Sequence, residues 1–351
     1  MKRKTILWWG RFDPNYSRNS IIRKHLIDLN YKIIDFKPLV SKFGYMEANF
    51  RGVETPDLVW VPCFRHRDIL SARKWSAQRN IKLLFDPLIS SWDKEVHEKN
   101  RVYSQELSDK LRSKESALFK EADIVLSDTS VHADLFRMKL GLSKVKNPIV
   151  YVGAEENLFK PFPKNIATDR KFDVLFYGSF ISLHGAEIIV RAANLISNQL
   201  DVKWTLLGNG PNLKECKRLA EELPNVFFED NISYSNLPER INRADLLLGI
   251  FGDSTKAGSV IPNKVFQSLA CGKTVITRCS DAYPEKLSKL NKGIIFIKSN
   301  SPDELCRIVN KIVKNSTFLD KSNRHSRKIY AEYFSAKIIK KQLVNALKLA
   351  F

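Results

Sequence analysis

Short apolar runs alternate along this chain with longer segments in which apolar residues recur at helical spacing. In the first half, an apolar run at Thr5–Trp9 precedes a helical segment over about 17–30. After residue 171 the alternation restarts with an apolar run at Val174–Tyr177 and a helical segment over 186–200. Such runs predict buried strands, and the periodic segments predict amphipathic helices. The order of elements therefore predicts an α/β fold of two doubly wound parallel sheets that face each other across a cleft.

The domain boundaries are predicted where this alternation stops. A strand at Ile149–Val152 closes the first half, and the following segment carries Pro161 and Pro163 with little periodicity, as a linker would. A long basic helix ends the chain. The predicted first domain, linker, second domain and terminal helix are residues 1–157, 158–171, 172–325 and 326–351.

The charge is strongly basic, with 58 Lys and Arg against 38 Asp and Glu and a formal net charge of +20. The excess is spread over both halves, so the protein should be attracted to anionic lipid, nucleic acid or phosphorylated substrates. Five scattered cysteines without metal-ligand spacing indicate reduced thiols and no metal site. No apolar run reaches the roughly 18 residues of a membrane span, and the N-terminal run is too short for a signal peptide. We therefore expect a cytoplasmic protein, with peripheral contact to an anionic membrane as one use of its charge.

The most informative segment is Asp253–Thr277, which predicts a loop, a helix that begins near Pro262, a turn and a buried strand. The N–H groups of a first helical turn and the helix dipole together favour an anion. Asn263 and Lys264 lie in that turn, and Lys264 would add a cation. The segment therefore predicts a phosphate-binding site.

Other glycine-containing loops of the second half follow predicted strands, where backbone can approach an anion closely. The candidate binding residues in these loops and in the loop before Pro262 are Gly178, Ser179, His184, Gly185, Gly208, Asn209, Gly210, Lys256 and Gly258. His184 is also a candidate catalytic residue. The alternative for each is an ordinary strand-to-helix turn or a structural histidine.

In the first half, the loop after the first strand lies where open α/β sheets bind ligands. Its candidate binding residues are Gly10, Arg11, Asp13, Arg18 and Asn19, with the two arginines as phosphate contacts. Asp86 and Asp93 follow another strand end, and Asp86 is the candidate that positions or deprotonates an acceptor hydroxyl. Helix capping is the alternative for both aspartates.

Several of these segments, in their order, resemble the group 1 (family 4) glycosyltransferases of GT-B architecture. The segments that carry the resemblance are Gly10–Asn19, Ala122–Asp128, Val152–Pro161, Gly178–Gly185, Leu206–Pro211, Ala244–Gly249 and Val260–Gly272. The resemblance implies two Rossmann-like domains, with a nucleotide-sugar donor mostly on the second and an acceptor on the first. It also implies that the final helix crosses back to the first domain.

The activity implied by the resemblance is transfer of a sugar from a UDP- or GDP-sugar, with retention and without a metal or other cofactor. Lipid-linked or polysaccharide intermediates are the implied acceptors, with no nucleic-acid partner. Many relatives carry two glutamates where this chain has Ser259 and Gln267, and the second commonly holds the donor ribose. Gln267 can still donate and accept hydrogen bonds. This departure leaves a catalytically impaired GT-B binding protein as an alternative.

Two further alternatives follow from the charge. A nucleic-acid-binding protein is one, although no zinc-finger, basic-zipper or RNA-recognition signature is present in the sequence. The other concerns the membrane: Arg73, Lys74 and Trp75 on one short helix could contact anionic lipid.

Overall fold

The computed structural model describes residues 3–97, 103–163, 170–196 and 201–351. It divides into two compact units. Unit 1 is Met1–Gly153 with Ala336–Phe351, and unit 2 is Ala154–Ser335. Most of the predicted linker's centre, residues 164–169, and the predicted helix end at 197–200 lie outside the described residues.

Unit 1 contains a five-stranded parallel sheet in the order β2-β1-β3-β4-β5. Its strands are β1 (Thr5–Trp9), β2 (Lys32–Phe36), β3 (Leu58–Val61), β4 (Leu83–Phe85) and β5 (Ile124–Val125). Its helices are α1 (Ser17–Asp28), α2 (Gly44–Phe50), α3 (Ile69–Ala77), α4 (Ser91–His97), α5 (Gln105–Lys120), α6 (Ser130–Lys139) and, from the chain's end, α14 (Ala336–Lys348).

Both faces of this sheet are covered at its inner strands, which is why β1 from Ile6 onward, β3 and β4 are apolar without interruption. Successive side chains of a strand point to opposite faces. Ile6 and Trp8 of β1 pack with apolar residues of α1 and α14, whereas Leu7 and Trp9 pack with those of α2 and α3. The core of unit 1 is thus two apolar layers on either side of one sheet.

Unit 2 contains a six-stranded parallel sheet in the order β11-β10-β9-β6-β7-β8. Its strands are β6 (Phe172–Tyr177), β7 (Val202–Leu207), β8 (Val226–Glu229), β9 (Leu246–Leu248), β10 (Val275–Arg278) and β11 (Ile294–Ile297). Its helices are α7 (Ala186–Asn194), α8 (Leu213–Leu219), α9 (Leu237–Arg243), α10 (Asn263–Ala270), α11 (Glu285–Ser288), α12 (Pro302–Val313) and α13 (Ser316–Ile329). Val174 and Phe176 pack under α7 and α12 in its main core. The two parallel-sheet α/β units agree with the predicted fold class.

Two predicted elements differ from the structure. The predicted strand Ile149–Val152 makes one isolated bridge, between Ser127 and Ile149, because Arg18 takes the carbonyl groups of Val150 and Tyr151. The predicted terminal helix is divided by a π-helical turn at Tyr330–Phe334. Its first part belongs to α13 in unit 2, and α14 belongs to unit 1.

The predicted lipid contact of α3 is wrong for its aromatic residue. Trp75 is fully buried in the core of unit 1, with the Arg79 guanidinium 4.1 Å from its ring. Arg73 pairs with Asp123 at 3.0 Å, so its charge is also engaged. In the described parts of the chain, no helix combines the length and apolarity needed to cross a bilayer.

Candidate functional site

The strand order of unit 2 places a crevice at one point of its sheet. Numbered within the unit, the order is 3-2-1-4-5-6, and ligands of open α/β sheets bind where such an order reverses, beyond the carboxyl ends of the strands. Here the reversal lies between β6 and β9. Gly178 follows β6 and Gly249–Phe251 follows β9, so these segments border the crevice.

The segment after β6 turns sharply at two glycines. Gly178 has φ +140°, and Gly185 lies in the left-handed region at φ +62°, directly before α7. A Cβ on Gly185 would lie 2.7 Å from the backbone nitrogen of Gly252. The turn Ser182–His184 packs directly against the backbone that follows β9, so a side chain would not fit at Gly185.

The glycines after β7 serve the same close packing. A Cβ on Gly208 would collide with the carbonyl oxygen of Gly178, and one on Gly210 with the backbone nitrogen of Phe180. The carbonyl of Asn209 accepts from the Phe180 N–H at 3.1 Å. The structure thus gives these three predicted binding residues a packing role beside the Gly178 turn.

Lys264 is the buried cation of this crevice. The residue is 4% exposed, and within the described chain its ammonium nitrogen has no hydrogen-bond partner. Nζ lies 4.1 Å from the ring centroid of Phe176 and would lie 3.1 Å from a Cβ on Gly178. Burial lowers the pKa of Lys264 well below its ordinary value. An anion at this point would give the ammonium group the partner that the protein does not supply.

Lys264 lies in the first turn of α10, as the sequence predicts. The residue before the helix is Pro262, whose extended backbone starts the helix and whose side chain provides no cap. Asn263 is the first helical residue and is half-buried. The N-terminal dipole of α10 and the Lys264 ammonium group therefore lie together, and both favour negative charge.

His184 borders the same point. A Cβ on Gly178 would lie 3.3 Å from its Cε1, and its Nδ1 donates to the carbonyl of Ser179. Because a carbonyl can only accept, the proton of the neutral ring is on Nδ1 and Nε2 is an acceptor. Burial, followed by the charge of Lys264, lowers the pKa of His184 well below its ordinary value. A bound anion would oppose both effects and favour a proton on Nε2.

Gln267 has a structural partner. It is 4% exposed, and its side-chain oxygen accepts from the Tyr177 hydroxyl at 2.9 Å. Tyr177 also donates to the Lys264 carbonyl at 3.2 Å, so the end of β6 is fixed to α10. The amide nitrogen keeps two N–H donors, so the ribose contact of Gln267 stays a prediction.

The loop before Pro262 is held by a residue that the sequence analysis missed. Arg278, at the carboxyl end of β10, donates to the carbonyls of Gly252 and Ser254 at 2.6 and 3.2 Å. A Cβ on Gly258 would lie 3.3 Å from its Nη2. Its place at a strand end was the available signal.

Within that loop, two predicted binding residues are largely enclosed. Ser259 is 2% exposed, and its hydroxyl donates to the Thr255 carbonyl at 3.0 Å. Lys256 is 4% exposed. The predicted donor contacts of these two residues stay predictions.

In unit 1 the strand order within the unit is 2-1-3-4-5, which reverses between β1 and β3. Gly10 lies there with φ +133°, and a Cβ would lie 3.1 Å from Arg65. Arg11 is exposed beside Arg65 in a small pocket. The predicted glycine loop and an exposed arginine thus lie at the expected position of unit 1.

Asp13 and Asn19 organise this loop. Asp13 is exposed, and its carboxylate accepts from the Asn15 N–H at 2.9 Å. The buried Asn19 amide donates to the Asp13 carbonyl at 2.8 Å and accepts from the Cys63 thiol at 3.2 Å. Asn19 therefore holds the loop, whereas Asp13 remains accessible.

The predictions for Arg18 and Asp86 are wrong on geometry. Both are buried, at 0% and 1% exposure, and the guanidinium donates to both carboxylate oxygens of Asp86, at 2.9 and 3.0 Å. The remaining nitrogen of Arg18 donates to Val150 and Tyr151 carbonyls. Burial raises the pKa of Asp86, and the guanidinium opposes that rise. With every oxygen engaged, Asp86 cannot reach an acceptor hydroxyl, and Arg18 cannot reach a phosphate.

Asp93 is 3% exposed in the first turn of α4, where its N–H donates to the Ser90 hydroxyl at 3.0 Å. The Glu115 carboxylate accepts from Ser91 and Trp92 N–H groups at 2.6 and 3.0 Å. Ser90 therefore caps this helix, and the role of the Asp93 carboxylate in substrate binding stays a prediction.

The Lys264 cluster is thus defined as Gly178, His184, Lys264 and the start of α10. Its chemistry suits a phosphate or diphosphate, because it combines a cation, a helix N-terminus and a glycine turn. In the described parts of the chain, no group of three or more His, Cys, Asp or Glu side chains has the arrangement of a metal site.

Comparisons with known proteins agree with this arrangement. The family model of glycosyl transferases group 1 matches residues 159–332. An uncharacterized glycosyltransferase of Methanocaldococcus jannaschii is 22% identical over 376 aligned positions, covering 94% of this chain and 92% of that protein.

Two solved structures share the fold over almost the whole chain. Anabaena HepE in complex with UDP-glucose has a TM-score of 0.74 at 16% identity, with 99% of this chain and 100% of that chain covered. Sucrose-phosphate synthase of Thermosynechococcus elongatus has a TM-score of 0.72 at 14% identity, with 99% and 98% covered. The chain therefore has the predicted GT-B fold, and its residues 159–332 match the family of group 1 glycosyl transferases.

Proposed function

We propose that this protein transfers a sugar from a nucleoside-diphosphate sugar to a hydroxyl group of a lipid-linked or polysaccharide acceptor. The observation that carries the proposal is Lys264, a buried cation without a hydrogen-bond partner in the described chain, at the N-terminus of α10. Membership of the glycosyltransferase family supports the reaction class. HepE was crystallised with UDP-glucose, which makes a UDP-sugar the first donor to test.

The proposed chemistry places the departing diphosphate on the Lys264 cluster. The bond between the anomeric carbon and the donor phosphate oxygen breaks, and its electron pair stays on the nucleoside diphosphate. The acceptor oxygen bonds to that carbon on the face that the diphosphate leaves, and its proton passes to the departing phosphate oxygen. Lys264 and the α10 dipole stabilise the charge that builds on the leaving group, which lowers the barrier. His184 stabilises the same charge once Nε2 is protonated.

The proposal includes retention at the anomeric carbon and no metal or other cofactor, as the family resemblance implies. It names no general base, because Asp86 is buried in an ion pair with Arg18. Peripheral contact with an anionic membrane would bring the protein to a lipid-linked acceptor.

The test measures binding and turnover separately. Calorimetry with UDP and GDP should show binding of at least one, and a panel of UDP- and GDP-sugars should give donor hydrolysis or transfer. NMR of the product's anomeric proton tests retention. Absence of binding to every nucleoside diphosphate and nucleotide sugar would refute the proposal.

A second candidate is a protein that binds the donor without transferring it. The family resemblance implies glutamates at the positions of Ser259 and Gln267, and the observation in favour of this candidate is that both side chains are engaged within the protein. UDP binding without hydrolysis or transfer across the donor panel would favour this candidate.

A further inference from the structure

Unit 1 exposes a dense group of apolar side chains in one short segment. Within residues 39–50, five large apolar side chains are exposed by half or more: Leu39, Val40, Phe43, Met46 and Phe50. Phe50 is the extreme case, with 93% of its surface exposed. These five residues are called the apolar edge. A contiguous exposed apolar group of this kind marks an interaction site more often than single exposed residues do.

The fold itself turns these side chains outward. Gly44 is the inner contact of α2, since a Cβ there would lie 3.0 Å from both Pro38 and the Ser71 hydroxyl. Ala48, four residues on, is fully buried. Because the inner face carries the two smallest residues, the larger ones at 43, 46 and 50 share the outer face at helical spacing. The face of α2 that is exposed to water is therefore apolar, which is the opposite of an ordinary surface helix.

A basic pocket adjoins the apolar edge. It has a volume of about 360 Å³ and is lined by Arg11, Leu39, Val40, Ser41, Lys42, Arg65 and Arg67. Arg11, Lys42 and Arg67 are exposed, whereas Arg65 is paired with the buried Asp68.

The carboxylates near this surface are already engaged. Glu47 accepts from the Leu39 N–H at 2.8 Å and pairs with Arg51 at 2.7 Å, and Asp68 is held by Arg65. The surface therefore presents apolar side chains and uncompensated cations together. An anionic phospholipid headgroup above an acyl layer has the complementary chemistry.

We propose that the apolar edge and the basic pocket form a docking surface for an anionic phospholipid bilayer. Phe43, Met46 and Phe50 enter the boundary between headgroups and acyl chains, and a lipid phosphate occupies the pocket beside Lys42 and Arg67. Nucleic acid fits less well, because it would leave the aliphatic side chains in water. The proposal does not depend on glycosyl transfer, since it concerns residues outside the Lys264 cluster.

The test uses the full chain and flotation with two vesicle types, phosphatidylcholine alone and phosphatidylcholine with phosphatidylglycerol, at about 0.1 M salt. One variant removes the edge (Phe43→Ser, Met46→Ser, Phe50→Ser), and a second reverses the charge (Lys42→Glu, Arg67→Glu). The matched control is Arg137→Glu, Met138→Ser, Lys139→Glu, which changes an exposed methionine and two exposed basic neighbours elsewhere on unit 1 and alters the net charge as much as the second variant does. UDP binding and thermal unfolding report whether each variant is folded.

We expect the wild type to bind the vesicles that contain phosphatidylglycerol, and each variant to lower that partition by about tenfold or more. The control should change it less than about threefold, because net charge alone would act equally at both places. Three results would overturn the proposal. The wild type could fail to bind the vesicles, or the control could lose as much vesicle binding as the test variants. Both test variants could also lose as much binding to random duplex DNA as they lose to vesicles.

Discussion

Each unit buries a cation near the carboxyl ends of its parallel sheet, but the two cations are treated differently. In unit 1, Arg18 is fully buried with Asp86 against it and with two backbone carbonyls on its remaining nitrogen. In unit 2, Lys264 is equally enclosed, yet its ammonium nitrogen meets an aromatic ring and has no hydrogen-bond partner in the described chain.

The difference separates a structural ion pair from a ligand site. A buried charge is stabilised by a partner that the fold supplies, or its charged form is disfavoured until a partner arrives. Arg18 belongs to the first kind, and its role is to stabilise the fold of unit 1. Lys264 belongs to the second kind, which is why the candidate site lies in unit 2. The following experiments test this distinction, in order of decreasing effect.

Removing one member of the buried ion pair between Arg18 and Asp86 should have the largest effect, which is a loss of stability. We expect Arg18→Met to lower the free energy of unfolding by about 3–5 kcal/mol, because Asp86 is left buried without its cation. Urea unfolding monitored by fluorescence measures the change. The double variant Arg18→Met, Asp86→Leu should be less destabilised than Arg18→Met alone. A loss under about 1 kcal/mol for Arg18→Met would show that the pair is not structural.

Removing the unpaired cation should affect binding and leave stability intact. We expect Lys264→Met to weaken UDP binding by about 10- to 100-fold, the effect of a lost hydrogen bond to a charged group. The free energy of unfolding should stay the same or rise, since an unsatisfied buried amine is gone. Calorimetry and urea unfolding measure the two quantities.

Lys273→Met is the matched control for Lys264→Met. Lys273 is also a buried lysine of unit 2, but its ammonium group donates to the Ala244 carbonyl at 2.7 Å. Its loss should destabilise the fold without weakening UDP binding in the folded protein. Equal UDP affinity in wild type and Lys264→Met would contradict the distinction between the two cations.

Filling the space beside Lys264 should have a moderate effect. We expect Gly178→Ala to cost about 1–2 kcal/mol of stability, because its φ of +140° disfavours a side chain. The new methyl group would lie 3.1 Å from the Lys264 Nζ, so UDP binding should also fall by a few fold. Gly52→Ala, at φ +60° with nothing within 4 Å, is the control that should keep UDP affinity unchanged.

The smallest expected effect is the uptake of a proton when UDP binds. Burial lowers the pKa of Lys264, so between the lowered pKa and 10.5 the unfolded chain holds a proton that the folded chain lacks. Stability therefore rises with pH over that interval, and an anion that restores the ammonium group takes up the proton. Calorimetry in two buffers of different ionisation enthalpy should show proton uptake with UDP. Lys264→Met should reduce it, and His184→Gln separates the histidine's share; uptake unchanged in both would contradict this account.

The architecture was readable from the sequence because strands buried on both faces are apolar without interruption. Trp8 and Trp9 are neighbours on β1 and pack in opposite layers of the core. The sequence pattern predicts that both are buried, but not in which layer each one lies. Short elements were missed where tertiary contacts form them, as when Gly44 packs on Pro38 and Ser71 to begin α2. Ile149–Val152 had the composition of a strand, but a guanidinium 132 positions away along the chain took its carbonyl.

The site divides in the same way. Lys264, His184 and Gly178 were found because their chemistry is tied to local features, a helix start and a turn after a strand. The pairing of Arg18 with Asp86 could not be found, since it joins residues 68 positions apart and the sequence shows both as polar loop residues. Arg278 was missed although it directly follows the predicted strand that ends at Thr277, because its hydrogen bonds to Gly252 and Ser254 join distant parts of the chain.

The placement of Ala336–Phe351 in unit 1 has a consequence for how the molecule is made. Ile339 and Leu343 of α14 lie in the same apolar layer as Ile6 and Trp8, the first core residues of the chain. On the ribosome, that layer stays open to water until α14 has been synthesised. Unit 2 has all of its strands by then, so β1 is made before unit 2 but its core layer is completed after it.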